Sequence, residues 1–240
     1  MRWQFLIPGL VALAMLALLL RLGFWQLSRA EYKEQLEQRS QENSDQIALS
    51  LNRGLPESLP SAWLYRRATA MGRFDGSREF LLDNRTYNGQ AGYHLLTPLD
   101  LGREMVLVNR GWVPVGARRE QLPTTQPLSP SMSSVVGVLR TPPRSGLILG
   151  STGHEAKGEW PRVVQTVDLP AMARSLEHPL LPAILLLDGG HPACHVCDWK
   201  PVPGMGAQKH RGYAFQWFAL ALTLVLLCAI VARRYLRRDS

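Results

Sequence analysis

Two long apolar runs, one near each end, enclose a middle in which short apolar stretches alternate with polar ones. From Trp3 to Leu20, eighteen consecutive residues carry no charge. As a helix they extend about 27 Å, close to a hydrocarbon core of about 30 Å. Arg21 closes the run, since an arginine at mid-membrane costs about 2.5–3.5 kcal/mol on insertion scales. Phe24 and Trp25 follow as interfacial anchors. A cleaved signal peptide is disfavoured, because the run is long and no small-x-small site follows it directly. The second run, Tyr213 to Ala232, is twenty residues without a charge and leads straight into "RRYLRR". By the positive-inside rule that puts the C-terminus in the cytoplasm. Two spans bring the N-terminus to the same side, although Arg29, Lys33 and Arg39 make the first span ambiguous on its own. Residues 28–210 then face a periplasm-like space.

The first span continues into "WQLSRAEYKEQLEQRSQEN", a polar helix of good helix formers. Beyond Pro56 the period shortens, and Gly and Pro divide β-rich segments. Strands are predicted at "RRATAMGRF", "EFLLDNR", "YHLLTPL", "EMVLVNRGW", "SVVGVLR", "RVVQTV" and "AILLLD". Asn88–Gly89 marks the turn between the second and third. Short helices are predicted at "GARREQ" and "LPAMARSL", and no internal repeat is present. The predicted fold is that of an α+β membrane protein, with two transmembrane helices flanking a mostly antiparallel β extracytoplasmic domain, a sheet or small barrel. The predicted divisions are a first span and interface over 1–27 and a polar helical connector over 28–55. A β-rich periplasmic domain follows over 56–209, then a second span over 210–232 and a basic cytoplasmic tail over 233–240.

Charge supports this topology more than a nucleic-acid role. The net charge is +8 over 240 residues. The ends alone supply five of those charges, through Arg2, Arg21, Arg233, Arg234, Arg237 and Arg238 against Asp239. The middle is only mildly basic and has no Lys/Arg stripe interleaved with aromatics, so no nucleic-acid partner is expected.

Candidate chemistry is sparse. "HPACHVCDW" holds Cys194 and Cys197 at CxxC spacing beside His191 and His195, which suits a disulfide in an oxidising compartment or a soft metal such as copper or zinc. A c-type haem attachment is disfavoured because Asp198, not histidine, follows the second cysteine. Thioredoxin-like chemistry lacks its βαβ context. Cys228, inside the second span, reads as a packing residue. There is no G-x-S-x-G, no phosphate-binding glycine loop before a helix, and no carboxylate pair in an acid/base setting. His94 reads as a structural strand histidine, and His154 and His178 lie in polar loops. Arg110 in "LVNRGWVP" is open to a carboxylate inside the domain, to stacking on Trp112, or to an anionic ligand. Spacing favours the structural role.

Four segments together, in order and nearly end to end, resemble the surfeit locus protein 1 family, assembly factors of haem-copper cytochrome c oxidase. They are "LGFWQLSRAEYKEQL", "GRFDGSREFLLDNRTYNGQAGYHLLTPL", "VLVNRGWVP" and "HRGYAFQWFALA". The resemblance implies a membrane-bound factor, not an enzyme, that binds haem a transiently and aids its insertion into the oxidase catalytic subunit in a bacterial inner membrane. Haem a synthesis enzymes are implied as further partners. The histidine of the family's His-x-x-Tyr-Ala-x-Gln-Trp motif falls on His210, which the resemblance makes the ligand to haem iron. Arg211, Tyr213, Gln216 and Trp217 follow it, and Gly23, Trp25, Gln26 and Arg29 are placed at the same membrane face. Tyr32 stands where many relatives carry tryptophan. "HPACHVCDW" has no counterpart in the family pattern. Two other readings remain open: a cofactor-free scaffold for the oxidase core subunit, and a membrane-anchored copper or thiol-redox protein using Cys194 and Cys197.

Overall fold

The computed structural model describes residues 3–56, 60, 63–116, 122, 123, 125, 127–129, 131–142, 160–199 and 204–237. The predicted helix at "GARREQ", apart from Gly116, and His154 lie outside the described residues. The chain forms two compact units, one of residues 1–39 with 201–240 and one of residues 40–200.

The first unit holds two long helices. Helix α1, Trp3–Ser44, runs without a break through the first apolar run and its polar extension. Helix α3, Ala207–Leu236, carries the second. Both contain stretches long and apolar enough to cross a membrane, and their large apolar side chains face outward, with Leu10 65% and Phe215 76% exposed. Exposed apolar surface on this scale is what acyl chains cover. The chain is a membrane protein of α+β class.

The second unit is built on eight strands: β1 (Leu49–Ser50), β2 (Arg67–Phe74), β3 (Phe80–Tyr87), β4 (Gln90–Asp100), β5 (Met105–Pro114), β6 (Ser133–Arg140), β7 (Arg162–Val164) and β8 (Leu180–Leu187). They run in the order β1-β2-β6-β8-β5-β4-β3-β7, and β2 also pairs with β4. That pairing, Arg73 opposite Asp100 and Phe74 opposite Leu99, closes β2, β6, β8, β5 and β4 into a small barrel. Closure joins the two ends of that five-strand set, and β1 and β7 remain as short edge strands. Most pairs are antiparallel, whereas β1–β2, β3–β7 and β5–β8 are parallel.

Strand β5 is buried on both faces, which explains its nearly unbroken apolar run. Val106 and Val108 join one core with Ala70, Leu99, Leu139 and Leu185. Met105 and Leu107 face the other, shared with Phe80 and with Met172 and Leu176 of α2 (Leu169–Leu176). Asp168 caps α2 by accepting from the Ala171 N–H at 3.0 Å.

All seven predicted strands and α2 are present. Two elements differ from expectation. The strand predicted over 162–167 stops at Val164, because β3 bulges after Leu82, the last residue β7 pairs with. The polar helix ends at Ser44. The chain then forms β1 and a 3-10 turn, Leu51–Arg53, that sinks Leu51 into the first core.

Candidate functional site

Along α1, Leu19, Gly23 and Ala30 are buried and Gln26 is half-buried. Their steps of four, three and four residues keep them on one helix face. On α3, Ala207, Ala214 and Ala221 are buried at seven-residue spacing, with His210 half-buried between the first two. Small residues at such positions let helix backbones approach closely where lipid supplies no hydrophobic drive. Gly23 shows the tolerance: a β-carbon there would lie 2.6 Å from the edge of the Phe218 ring. Phe24 meets the same ring edge-on, with centroids 5.3 Å apart.

Where both apolar runs end, polar contacts take over. The His210 Nδ1 lies 2.7 Å from the Gln26 Oε1. A carbonyl oxygen only accepts, so Nδ1 donates its proton, and in the neutral form of the ring the lone pair then lies on Nε2. This is the arrangement in which a metal-ligating histidine is oriented by a partner on its other nitrogen. One step along, the Arg211 Nη2 reaches both carboxylate oxygens of Glu34, at 2.7 and 2.9 Å.

The remaining predicted residues are less concentrated. Tyr213 and Trp217, three and seven residues after His210, share its side of α3; Tyr213 is exposed and Trp217 half-buried. Gln216 is exposed on another face. Trp25 is 53% exposed, and Arg29 places its guanidinium 5.3 Å from the Tyr32 ring centroid. Among the described residues, His210 makes no hydrogen bond or ring contact with any of these five. Gln26 and Glu34 are the partners sequence reasoning underused. Gln26 is expected near the same membrane face as His210, and nothing local in the sequence pairs it with that residue, 184 positions away.

In the β unit, Cys194 and Cys197 are joined in a disulfide. In that state neither offers a thiolate to a metal. Among the described residues no group of three or more His, Cys, Asp or Glu side chains is placed to hold one. The loop carrying the disulfide is bound to β5: the His195 N–H donates to the Arg110 carbonyl at 2.7 Å and the Trp112 N–H to the Val196 carbonyl at 2.8 Å. His195 itself is held below its ordinary pKa, chiefly by burial, with Arg110 adding to the effect and Glu79 opposing it.

Arg110 takes the structural role its spacing favours. It is fully buried, and its Nη1 donates to the Glu79 Oε1 at 2.8 Å while its Nε donates to the Ala193 carbonyl at 2.9 Å. Glu79 also accepts from Thr97 at 2.5 Å and Thr125 at 2.9 Å. A buried charge is tolerated when it is both paired and hydrogen-bonded in this way.

Residues 13–222 match the SURF1 family. A SURF1-like protein of Rickettsia felis is 27% identical over 231 residues, covering 94% of this chain and 96% of its own. The Surfeit locus protein 1 of Arabidopsis thaliana is 26% identical, covering 86% of this chain and 72% of its own. The cytochrome oxidase assembly protein SHY1 of Saccharomyces cerevisiae is 32% identical over a shorter stretch of 95 residues, 38% of this chain and 24% of its own.

Proposed function

We propose, from the premise that the chain belongs to the SURF1 family, that it is an assembly factor for a haem-copper cytochrome c oxidase. In this reading it takes up haem a through His210 and hands it to the oxidase catalytic subunit. The yeast relative, a cytochrome oxidase assembly protein, supports the assembly role. The observation that carries the cargo reading is the Gln26–His210 hydrogen bond, which orients the ring through Nδ1 and leaves Nε2 without a partner among the described residues. A neutral imidazole nitrogen is a common axial ligand to haem iron. Tyr213, Trp217 and Trp25 supply aromatic surface for an apolar macrocycle, and Arg29 supplies a cation for its propionates. Arg211 is engaged with Glu34 and serves the site by fixing the helix that carries His210. The protein catalyses no reaction in this account. It sits in a bacterial inner membrane with both termini cytoplasmic, as the arginines after the second span favour, and its β domain is periplasmic. Enzymes of haem a synthesis are the natural donors.

A second reading rests on the same contacts. Gln26–His210 and Glu34–Arg211 both cross between helices, and polar pairs of this kind are used simply to join helices in membranes. The protein would then be a cofactor-free scaffold for the catalytic subunit. Optical spectra of detergent-purified protein, co-produced with a haem a pathway, separate the two. Wild type should carry a haem a spectrum that His210→Ala loses and that Gln26→Leu weakens about 10–100-fold in affinity, the usual cost of losing such an orienting partner. No haem in wild type, or the same spectrum in His210→Ala, with catalytic-subunit binding retained, leaves the scaffold.

A further inference from the structure

Four arginines of the β domain have a buried Nε without a hydrogen-bond partner: Arg66, Arg85, Arg140 and Arg162. Three of them are accounted for elsewhere on the side chain. Arg66 donates through Nη2 to the Ile47 carbonyl at 2.6 Å. Arg140 lies 3.9 Å from the centroid of the Tyr65 ring, and Arg162 4.3 Å from that of Trp160. Arg85 is different. It is half-buried, and burial pushes its pKa down. Among the described residues its guanidinium has no carboxylate, no carbonyl and no aromatic face. A buried donor without a partner is unfavourable, and a native group in that condition calls for an explanation.

Its surroundings are built. The bulge after Leu82, with Asn84 at φ 61°, re-aims the end of β3. Arg85 then pairs with Gly92 of β4, and His94 of β4 pairs with Trp112 of β5. By strand alternation Arg85, Tyr87, His94 and Trp112 share one face of the sheet. The Trp112 indole covers Gly92, where any β-carbon would collide with it, and its Nε1 donates to the Arg85 carbonyl at 3.1 Å. Tyr87 lies against Trp112 at 5.6 Å between centroids, and Trp199 meets His94 edge-on at the same distance.

His94 is preset as a donor. The Gly111 N–H donates to the Asn109 Oδ1 at 3.1 Å, which fixes the amide and turns its Nδ2 toward the His94 Nδ1 at 3.3 Å. Nδ1 therefore accepts, and the proton of the neutral ring sits on Nε2. The ring stays neutral over the physiological range, because burial first and the Arg85 charge second push its pKa to about 4. Among the described residues no acceptor meets that Nε2–H.

We propose that Arg85 and the His94 Nε2–H form a binding site for a carboxylate, carried on an apolar or aromatic body that rests against Tyr87, Trp112 and Trp199. A guanidinium fork matches the two oxygens of a carboxylate. One cation beside one neutral donor suits a monoanion better than a phosphate dianion. The carboxylate has two possible sources: a propionate of a tetrapyrrole cargo, or an acidic side chain of a protein partner. The site does not depend on His210 or on the cargo reading.

The test uses the full chain in detergent micelles with isotope-labelled histidine, its His94 signals assigned by their loss in His94→Gln. Sodium benzoate is titrated in, with benzamide as the uncharged control. Benzoate should shift the His94 ring signals saturably, benzamide should not, and Arg85→Gln should weaken the effect at least tenfold. No saturable shift with benzoate, an equal shift with benzamide, or an undiminished shift in Arg85→Gln overturns the proposal. Native folding of Arg85→Gln is checked by the unchanged Trp199 and Trp112 environment in near-UV circular dichroism. Displacement of benzoate by mesoporphyrin IX but not by its dimethyl ester assigns the site to a cargo propionate. Displacement by a Phe-Glu-Phe peptide, where mesoporphyrin fails, assigns it to a protein carboxylate.

Discussion

Replacing Arg110 with methionine tests the internal architecture of the β domain most directly. The substitution keeps an unbranched side chain, yet it removes the donors to Glu79 and to the Ala193 carbonyl. Glu79, itself almost fully buried, is left with only the two threonine hydroxyls as partners among the contacts described. Breaking a buried pair from one side costs about 3–5 kcal/mol, because the surviving charge stays desolvated. For a domain of this size each kcal/mol moves the melting temperature by about 2–4 °C, so Arg110→Met should lower it by about 6–20 °C. The assay is thermal unfolding of the detergent-solubilised protein followed by tryptophan fluorescence. Arg110→Met combined with Glu79→Leu should recover most of the loss, since an apolar pair of similar volume can replace a buried ion pair at little net cost. A shift below about 2 °C in the single variant would mean that water reaches Glu79 and that the pair is not the internal tie described here.

Three further outcomes follow from the same geometry. His94 has a folded-state pKa of about 4, below the ordinary value of about 6.5, so the unfolded chain binds the proton first. Stability should be intact above pH ~6.5 and fall between about 6.5 and 4, by at most about 3 kcal/mol; because His191 and His195 shift in the same direction, the slope is read as wild type minus His94→Gln. Gly111 has φ 105°, and a β-carbon there would sit 2.6 Å from the Val196 carbonyl oxygen. Gly111→Ala should therefore cost about 1–3 kcal/mol of strain, detected as a lower melting temperature and faster proteolysis within 191–199. The disulfide closes a loop of only four residues, and chain entropy credits that with about 2 kcal/mol. With the loop also hydrogen-bonded to β5 and Arg110, Cys194→Ser with Cys197→Ser should fold and still support oxidase assembly. Loss of oxidase activity in cells carrying that otherwise stable variant would instead give the cysteines a role in the assembly pathway.

Several features of this protein were legible in one dimension because their causes are local. Apolar runs of eighteen and twenty residues meet the thickness of a bilayer without help from any neighbour. Strands β2 to β8 and helix α2 show in period, turn residues and caps, which depend on positions a few residues apart. The motif around His210 is likewise contiguous. Other features arise only when distant segments meet. Barrel closure rests on two residue pairs between β2 and β4, and no pattern in either strand announces them. Arg110 looked the same in sequence whether its partner was Trp112, a ligand or Glu79, 31 residues away; only burial of both groups together selects the carboxylate. His210 meets its hydrogen-bond partner Gln26, 184 residues earlier, only through the packing of two antiparallel helices. Arg85 is the converse case. That its buried Nε has no partner among the described residues is invisible until the neighbours have been placed, because pairing is a property of the surroundings and not of the residue.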